Sequence, residues 1–313
     1  DNKKIQYPIM LGARSALFLP FNNLGLIIVD EEHDSSFKQQ QPAPRYHARD
    51  AAIYLAHLHK AKVLLGSATP CVESYYNAKT GKYALVEMST RFAGIALPEI
   101  QTIDIRKAHL KKQMTQQFAP KMLNAITDTL ESGKQVILFQ NRRGYSPVLS
   151  CGTCAYTPNC NACDVSLTYH KWNNQLKCHY CGYTEQLPEF CPSCSAKDFS
   201  DKGFGTEQIE ESLKELLPTY VTKRMDYDTT RGKNAHQQII SDFEQARIDI
   251  LVGTQMVTKG LDFDNVTLVG ILNADSMLHF PDFRAYERAF QLMMQVAGRA
   301  GRKGQQGQVL VQT

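Results

Sequence analysis

Eight of the nine cysteines in this chain fall between positions 151 and 194 as four Cys-x-x-Cys pairs: Cys151/Cys154, Cys160/Cys163, Cys178/Cys181 and Cys191/Cys194. No other feature restricts the folding of the chain as strongly. Each pair offers two thiolates about a tetrahedral edge apart, so two pairs close one metal site and four close two. Disulfides would satisfy the same residues, but a large chain with no signal peptide ahead of Asp1 is expected in a reducing compartment, where this spacing selects zinc. Two structural Zn²⁺ are therefore expected. The gap from Cys163 to Cys178 suits a ribbon, which pairs the inner turns (Cys160, Cys163, Cys178, Cys181) and leaves Cys151, Cys154, Cys191 and Cys194 to form the outer site. A sequential pairing, first four and last four, remains open on spacing alone. Four thiolates leave no open coordination position, so either arrangement builds structure rather than catalyses.

Between and beside the inner turns lie Tyr169, His170, the single tryptophan Trp172, Lys177, His179, Tyr180 and Tyr183. Aromatic and basic residues on a small rigid knob suit stacking on unpaired bases. A module this small also needs aromatics to cover its metals. His170 and His179 are expected at the surface, because the cysteines suffice as ligands.

Around the cysteines the pattern is α/β. Leu26-Ile27-Ile28-Val29 reads as a strand of a parallel sheet buried on both faces, and it runs into Asp30-Glu31-Glu32-His33. Ligands of such sheets bind beyond the carboxyl ends of the strands. Two adjacent carboxylates there suit nucleotide hydrolysis, Asp30 holding Mg²⁺ directly or through water and Glu31 polarising the attacking water. An acidic turn closing a buried strand would look the same in isolation. After a helical stretch over 46–59, Val63-Leu64-Leu65 forms a second strand ending in Gly66-Ser67-Ala68-Thr69-Pro70, a turn able to sense phosphate or simply to cap a helix. The pattern restarts near 91–99. Phe118, Met122, Ile126 and Leu130 share one helix face, and Val136 to Phe139 is a buried strand. Past the cysteines, Thr206 is the expected N-cap of a helix carrying Ile209, Leu213 and Leu216. A strand from Ile248 to Val252 leads into Gly253-Thr254-Gln255-Met256 and Lys259-Gly260-Leu261-Asp262, and another runs from Val266 to Leu272. Finally, Gln295, Arg299 and Arg302 are spaced to project from one helix face, where arginines suit a phosphate across a cleft, and a solvated basic helix end would look the same in isolation.

Composition narrows the class. With 43% hydrophobic residues in 313, the chain is long enough for two or more cored domains. Lys and Arg exceed Asp and Glu by only four, so any contact with a polyanion must be local. No apolar run approaches the roughly 18 residues of a membrane span, and a soluble protein is expected. The chain opens without methionine in what reads as the middle of a domain, and it contains no Gly-x-x-x-x-Gly-Lys-Ser/Thr. It is expected to be a fragment.

In order, Asp30-Glu31-Glu32-His33, Gly66-Ser67-Ala68-Thr69, the 253–262 segment and Gln295-Val296-Ala297-Gly298-Arg299-Ala300-Gly301-Arg302 resemble motifs II, III, V and VI of superfamily 2 helicases. With eight cysteines inserted in the second α/β unit, the pattern resembles the PriA family of replication-restart helicases, over nearly the whole chain. The resemblance implies RecA-like lobes: 1–95 as the carboxyl-terminal part of lobe 1, 96–147 with 197–313 as lobe 2, and 148–196 as an inserted two-zinc module. It implies Asp30, Glu31, Arg299 and Arg302 as catalytic, and His33, Ser67, Thr69, Gly260, Asp262 and Gln295 as ATP-binding or coupling residues. Arg14, Phe37, Lys38, Tyr46, Arg49 and Trp172 become DNA contacts. His47 belongs to the same aromatic-rich loop, whose usual tryptophan is replaced here by Gln41-Pro42-Ala43-Pro44, weakening its stacking role. The family also supports the nested zinc pairing. The expected activity is ATP- and Mg²⁺-dependent 3′-to-5′ DNA unwinding by a monomer at stalled or branched forks. Single-stranded-DNA-binding protein and primosome proteins are the expected partners, in a bacterial, nucleoid-associated cytoplasmic setting. The phosphate-cradling loop is expected upstream of Asp1 and a further domain beyond Thr313, leaving this stretch alone inactive as an ATPase. A zinc-ribbon nucleic-acid scaffold with a vestigial motor is the alternative, and an RNA translocase a weaker third.

Overall fold

The computed structural model describes residues 8–90, 97–141, 148–154, 156–163, 165–170, 173–200, 205–226, 229–230, 232, 234–258, 263–301 and 306–313. The chain forms two units, 1–87 and 88–313.

In the first unit, β1 (Leu26–Val29) and β2 (Lys62–Leu65) pair in parallel, with Ile28 opposite Leu64 and Val29 opposite Leu65. The connection contains α1 (Ala48–His59), which lies against both strands and turns a stripe of Ala48, Ala52 and Ala56 inward. Small residues at this spacing let helix and strands approach closely. A second helix, α2 (Val72–Lys79), follows β2. The expectation that β1 is buried on both faces is corrected: Ile28 and Leu64 are 62% and 53% exposed. The cause is the period of two along a strand. Only the face bearing Ile27, Val29, Val63 and Leu65 meets α1, and among the described residues nothing covers the face bearing Leu26, Ile28 and Leu64.

The second unit is built on a six-stranded, all-parallel sheet. Its strands are β3 (Glu99–Ile103), β4 (Gln135–Phe139), β10 (Thr222–Met225), β11 (Ile250–Gly253), β12 (Val266–Ile271) and β13 (Gln308–Gln312), in the order β10-β11-β4-β12-β13-β3. All five residues of β4 are buried, as a central parallel strand requires. Its residues alternate between two cores. Ile137 and Phe139 face a cluster that includes Leu251, Val269, Ile271, Phe243 of α6 (Ala235–Glu244) and Ala289 of α8 (Ala285–Ala297). Val136 and Leu138 face one that includes Ala108 of α3 (Ile105–Leu110), Met122 and Ile126 of α4 (Pro120–Glu131), and Ile209 and Leu213 of α5 (Thr206–Leu216). At Gly270 on β12 a Cβ would lie 2.6 Å from Leu138 Cδ2 and 2.9 Å from Met122 Sδ, so glycine permits this close packing of α4 on the sheet. A short helix, α7 (Asp275–Leu278), precedes α8. Two expectations at helix starts shift by a residue or two. Phe118 is fully buried but precedes α4, and Gly205 rather than Thr206 is the N-cap of α5, the Thr206 hydroxyl donating instead to Asp226 at 2.7 Å.

The cysteine-rich stretch leaves and rejoins this unit between β4 and α5. An antiparallel pair, β5 (Ser150–Cys151) with β9 (Phe199–Ser200), closes it, and a three-stranded antiparallel sheet of β6 (Thr168–His170), β7 (Gln175–Lys177) and β8 (Thr184–Gln186) fills its middle. The closing pair carries the insertion to residue 200, four residues beyond the expected boundary. Among the described residues no helix is long and apolar enough to cross a membrane.

Candidate functional site

The acidic turn forms where the β1–β2 ladder continues past the strands. The Gly66 N–H donates to Val29 O at 2.9 Å and the Glu32 N–H to Gly66 O at 3.1 Å, so the backbone is held on both sides of Asp30 and Glu31. Glu31 adopts a left-handed conformation, φ 50°, which costs a residue with a Cβ roughly 1–2 kcal/mol. Its N–H donates to Asp30 Oδ1 at 3.0 Å. The reversal sends neighbouring side chains apart: the Glu31 side chain is 49% exposed and that of Glu32 is 1% exposed.

His33 joins the two turns. Its Nδ1 lies 2.7 Å from Ser67 Oγ and 3.5 Å from Glu31 Oε2, and Ser67 Oγ also accepts the Thr69 N–H at 3.0 Å. The structure thus brings Asp30, Glu31, His33, Ser67 and Thr69 together at one edge of the first unit.

Glu32, which the sequence shows only as one acid among three, is held by four donors. Its Oε1 accepts the Cys71 N–H at 2.7 Å, and its Oε2 accepts from Ser74 Oγ at 2.9 Å, Arg49 Nη1 at 3.0 Å and the Cys71 thiol at 3.3 Å. Arg49 Nη1 also donates to Cys71 Sγ at 2.6 Å. Burial opposes the Glu32 charge, but the Cys71 N–H, the Arg49 guanidinium and the Ser74 hydroxyl outweigh it and hold the carboxyl below its ordinary pKa. Cys71 and Ser74 carried no sequence signal, since a lone cysteine and serine at a helix start are commonplace.

Arg49, expected at DNA, has its guanidinium committed to Glu32 and, at 2.8 Å through Nε, to Asp50. The remaining loop residues brace one another. Arg14 donates to Ser36 O at 2.9 Å, Lys38 donates through Nζ to Arg45 O at 2.7 Å, and the backbones of Lys38 and His47 pair as an isolated antiparallel β-bridge. The ring of Tyr46 meets Phe18 edge-on at 4.9 Å, and Phe37 closes a short turn begun by Asp34. Desolvation, with Arg49 nearby, lowers the pKa of His47.

In the second unit, α8 ends at Ala297, so the expectation that Gln295 and Arg299 share one helix face is corrected. Arg299 lies in tight turns, with its N–H donating to Val296 O at 2.9 Å and that of Ala300 to Ala297 O at 3.0 Å. Gly301 then takes φ 70° and donates to Val266 O at 3.0 Å, and two glycines within four residues explain why the helix stops. Arg302, Gly260, Asp262 and Trp172 lie outside the described residues.

The four cysteine turns share one backbone pattern. The first cysteine of each donates its N–H to the carbonyl five residues on: Cys151 to Tyr156, Cys160 to Val165, Cys178 to Tyr183 and Cys191 to Ala196, each at 2.8 Å. This tight fold presents both thiols of each turn on one side. Cys151, Cys154, Cys191 and Cys194 form one group and Cys160, Cys163, Cys178 and Cys181 the other, with the sulfurs of each group within 4.8 Å of one another. The nested pairing is the one that forms. A tetrahedral zinc with Zn–S bonds of ~2.3 Å sets its sulfurs about 3.8 Å apart. Cys151–Cys194, Cys154–Cys191 and Cys160–Cys181 are each 3.6 Å apart. Crowding divides the thiols. Burial raises Cys178, but the N–H groups of Cys181 and Tyr180 and the adjacent thiols bring it to about 7, while the thiol of Cys181, burial and the thiol of Cys178 push Cys163 up to about 12. Four neighbouring sulfurs become thiolates together only when a cation balances them, and both groups are consistent with structural zinc.

The aromatics of the module serve different ends. Tyr169 packs on the cluster of Val165, Leu167, Leu176, Cys160 and Cys178 and donates its hydroxyl to Asn174 at 2.9 Å. Tyr180 meets Phe283, just before α8, edge-on at 6.2 Å, and its hydroxyl accepts the Phe283 N–H at 3.3 Å. His170 and His179 stand against each other, 5.3 Å between ring centroids, and neither joins a cysteine group.

Residues 160–186 match the PriA DNA helicase Cys-rich region (CRR) domain, and residues 190–304 match the helicase conserved C-terminal domain. The chain is 48% identical over 305 residues to replication restart protein PriA of Bacillus subtilis and 46% identical over 307 residues to that of Chlamydia pneumoniae. Each match takes in 97% of this chain but 38% and 41% of the relative, so the chain spans about two fifths of the length of these proteins. Among solved structures, the Mycobacterium smegmatis helicase Lhr bound to ssDNA and AMP-PNP aligns with a TM-score of 0.46 at 16% identity, over 96% of this chain and 29% of that one. Along nearly its whole length, then, this chain belongs to the family of the replication restart protein PriA.

Proposed function

We propose that the chain is part of an ATP-driven, 3′-to-5′ DNA helicase that recognises stalled or branched forks and starts primosome assembly in the bacterial cytoplasm and nucleoid. The observation that carries the reading is the joined pair of turns, Asp30-Glu31 and Ser67-Thr69 linked by His33, in a chain so similar to PriA along its length. Asp30 holds the Mg²⁺ that accompanies ATP, and Glu31, half exposed and turned outward, orients the water that attacks the γ-phosphate. Arg299 and Arg302 balance charge on that phosphate, with Gln295, Gly260 and Asp262 completing the nucleotide contacts. Ser67 and Thr69 relay phosphate loss through His33. Arg14, Phe37, Lys38, Tyr46 and Trp172 contact single-stranded or forked DNA, and the two cysteine groups hold structural zinc. Single-stranded-DNA-binding protein and primosome proteins are the partners of a monomeric motor.

The sequence contains no Gly-x-x-x-x-Gly-Lys-Ser/Thr to cradle the β- and γ-phosphates, so these 313 residues alone hydrolyse ATP negligibly. The test is made on the full-length gene product. Wild type should show DNA-stimulated ATPase and unwind a forked duplex, and Glu31→Gln should lose both while keeping zinc and fold. Wild-type turnover in Glu31→Gln, or DNA binding without any ATPase in wild type, sinks the motor reading, the second outcome favouring a scaffold.

A further inference from the structure

The geometry points to Glu32 as a positioning residue for the turn that carries Asp30 and Glu31, a role that rests on the hydrolytic reading of that turn. Glu32 cannot itself touch substrate. Its side chain is 1% exposed, and both carboxylate oxygens accept hydrogen bonds from within the unit. These donors come from two helices that begin beside the turn. Arg49 is the second residue of α1, while Cys71 is the N-cap of α2 and Ser74 lies in its first turn. The carboxylate therefore closes the start of α2, where backbone N–H groups and the helix dipole favour negative charge, and holds α1 through an ion pair. One side chain clamps both helices to the end of β1.

The consequence falls on Glu31. Upstream, the chain is fixed by the Gly66 N–H on Val29 O; downstream, it is fixed by the Glu32 N–H on Gly66 O and by the clamped Glu32 carboxylate. Only two residues, Asp30 and Glu31, span these anchors. Glu31 takes φ 50° to do so, and its carboxylate is thereby turned outward, 3.5 Å from His33. A left-handed glutamate is unfavourable unless its surroundings enforce it, and such strain persists where neighbouring contacts over-determine the backbone. The ionised Glu32 carboxylate is the contact that does so here. Released from it, Glu31 relaxes to an ordinary conformation and its carboxylate turns away from the outward direction.

The test compares Glu31→Gln and Glu32→Gln in the full-length gene product with saturating DNA, following kcat and KM for ATP together with nucleotide-binding stoichiometry. Glu32→Gln keeps the volume of the side chain but removes the charge that holds Arg49. A positioning role predicts a kcat lower by about tenfold or more, with KM within about twofold and one nucleotide still bound per chain. A merely structural role lowers the number of nucleotide sites along with the rate, and that result overturns the proposal, as does wild-type kcat in folded Glu32→Gln. If Glu32→Gln does not fold, Ser74→Ala, which removes one donor to Oε2, carries the test. A kcat loss of about threefold at unchanged KM supports the role, and wild-type kcat overturns it. Wild-type turnover in Glu31→Gln removes the hydrolytic reading and this role with it. Loss in Glu31→Gln alone removes only the positioning role.

Discussion

His33 Nδ1 and Ser67 Oγ lie 2.7 Å apart, a contact between the turn that follows β1 and the turn that follows β2. The same histidine nitrogen is 3.5 Å from the Glu31 carboxylate, and the same hydroxyl accepts the Thr69 N–H. A displacement of the Ser67 turn is therefore felt at Glu31 through a single side chain. That places His33 between the residues proposed to cleave ATP and those proposed to report it.

If this link relays phosphate loss, cutting it separates hydrolysis from work. Ser67→Ala in the full-length gene product should retain most DNA-stimulated ATPase while base pairs opened per ATP fall by roughly fivefold or more, the scale of a modest coupling energy. Unchanged unwinding per ATP would show that the contact is only a cap.

Metal content is the second prediction. Two closed thiolate sites predict two zinc ions per chain, each with roughly 10–16 kcal/mol of apparent binding energy. Cys178→Ser should leave one. The module is closed by the β5–β9 pair, and the second unit's six strands form their own core, so helical and strand signal from the sheet should survive that loss. Metal analysis giving one zinc or none in the wild type contradicts the assignment.

Much of this was legible because it follows from periodicity and spacing. Four Cys-x-x-Cys turns declare two sites, and the apolar run from Val136 to Phe139 declares a buried strand. What stayed hidden depends on contacts between segments far apart in sequence. Nothing local marks Cys71 and Ser74 as partners of Glu32, because the bond spans 39 residues in one case and 42 in the other. The end of α8 was misjudged for a related reason. The spacing of Gln295 and Arg299 fits a helix, but Gly301 takes a left-handed φ of 70° and donates to Val266 at the start of β12, a contact that spacing alone does not reveal.

That turn supports a third prediction. A Cβ at Gly307 would lie 2.3 Å from the carbonyl carbon of Ala300 and 2.4 Å from the nitrogen of Gly301, both backbone atoms that have little room to yield. Gly307→Ala should cost at least the 1–3 kcal/mol or so typical of overpacking and displace the Arg299 turn. At Gly298, φ is −61° and the nearest atom to an added Cβ is 3.4 Å away, so Gly298→Ala should change stability by less than about 0.5 kcal/mol. Equal denaturation midpoints for the two variants would refute the packing argument.

The last prediction concerns acid. Asp226, at the end of β10, is buried, which alone would raise its pKa, but the Thr206 hydroxyl, the Thr229 N–H and the Arg224 guanidinium at 3.3 Å hold it below the ordinary aspartate value. Glu32 is depressed in the same way in the first unit. A group whose folded pKa is depressed stabilises the fold above its unfolded pKa, about 4 for these side chains, and loses that contribution as pH falls through the folded value. Stability of the second unit should therefore be level through neutral pH and decline below about pH 4. Asp226→Asn removes the titrating group while leaving one acceptor for Thr206. It should lower the denaturation midpoint at neutral pH and flatten the decline in acid, so that mutant and wild type converge as Asp226 protonates. Parallel curves, separated by the same amount at neutral and acid pH, would mean that the network around Asp226 acts through shape rather than charge.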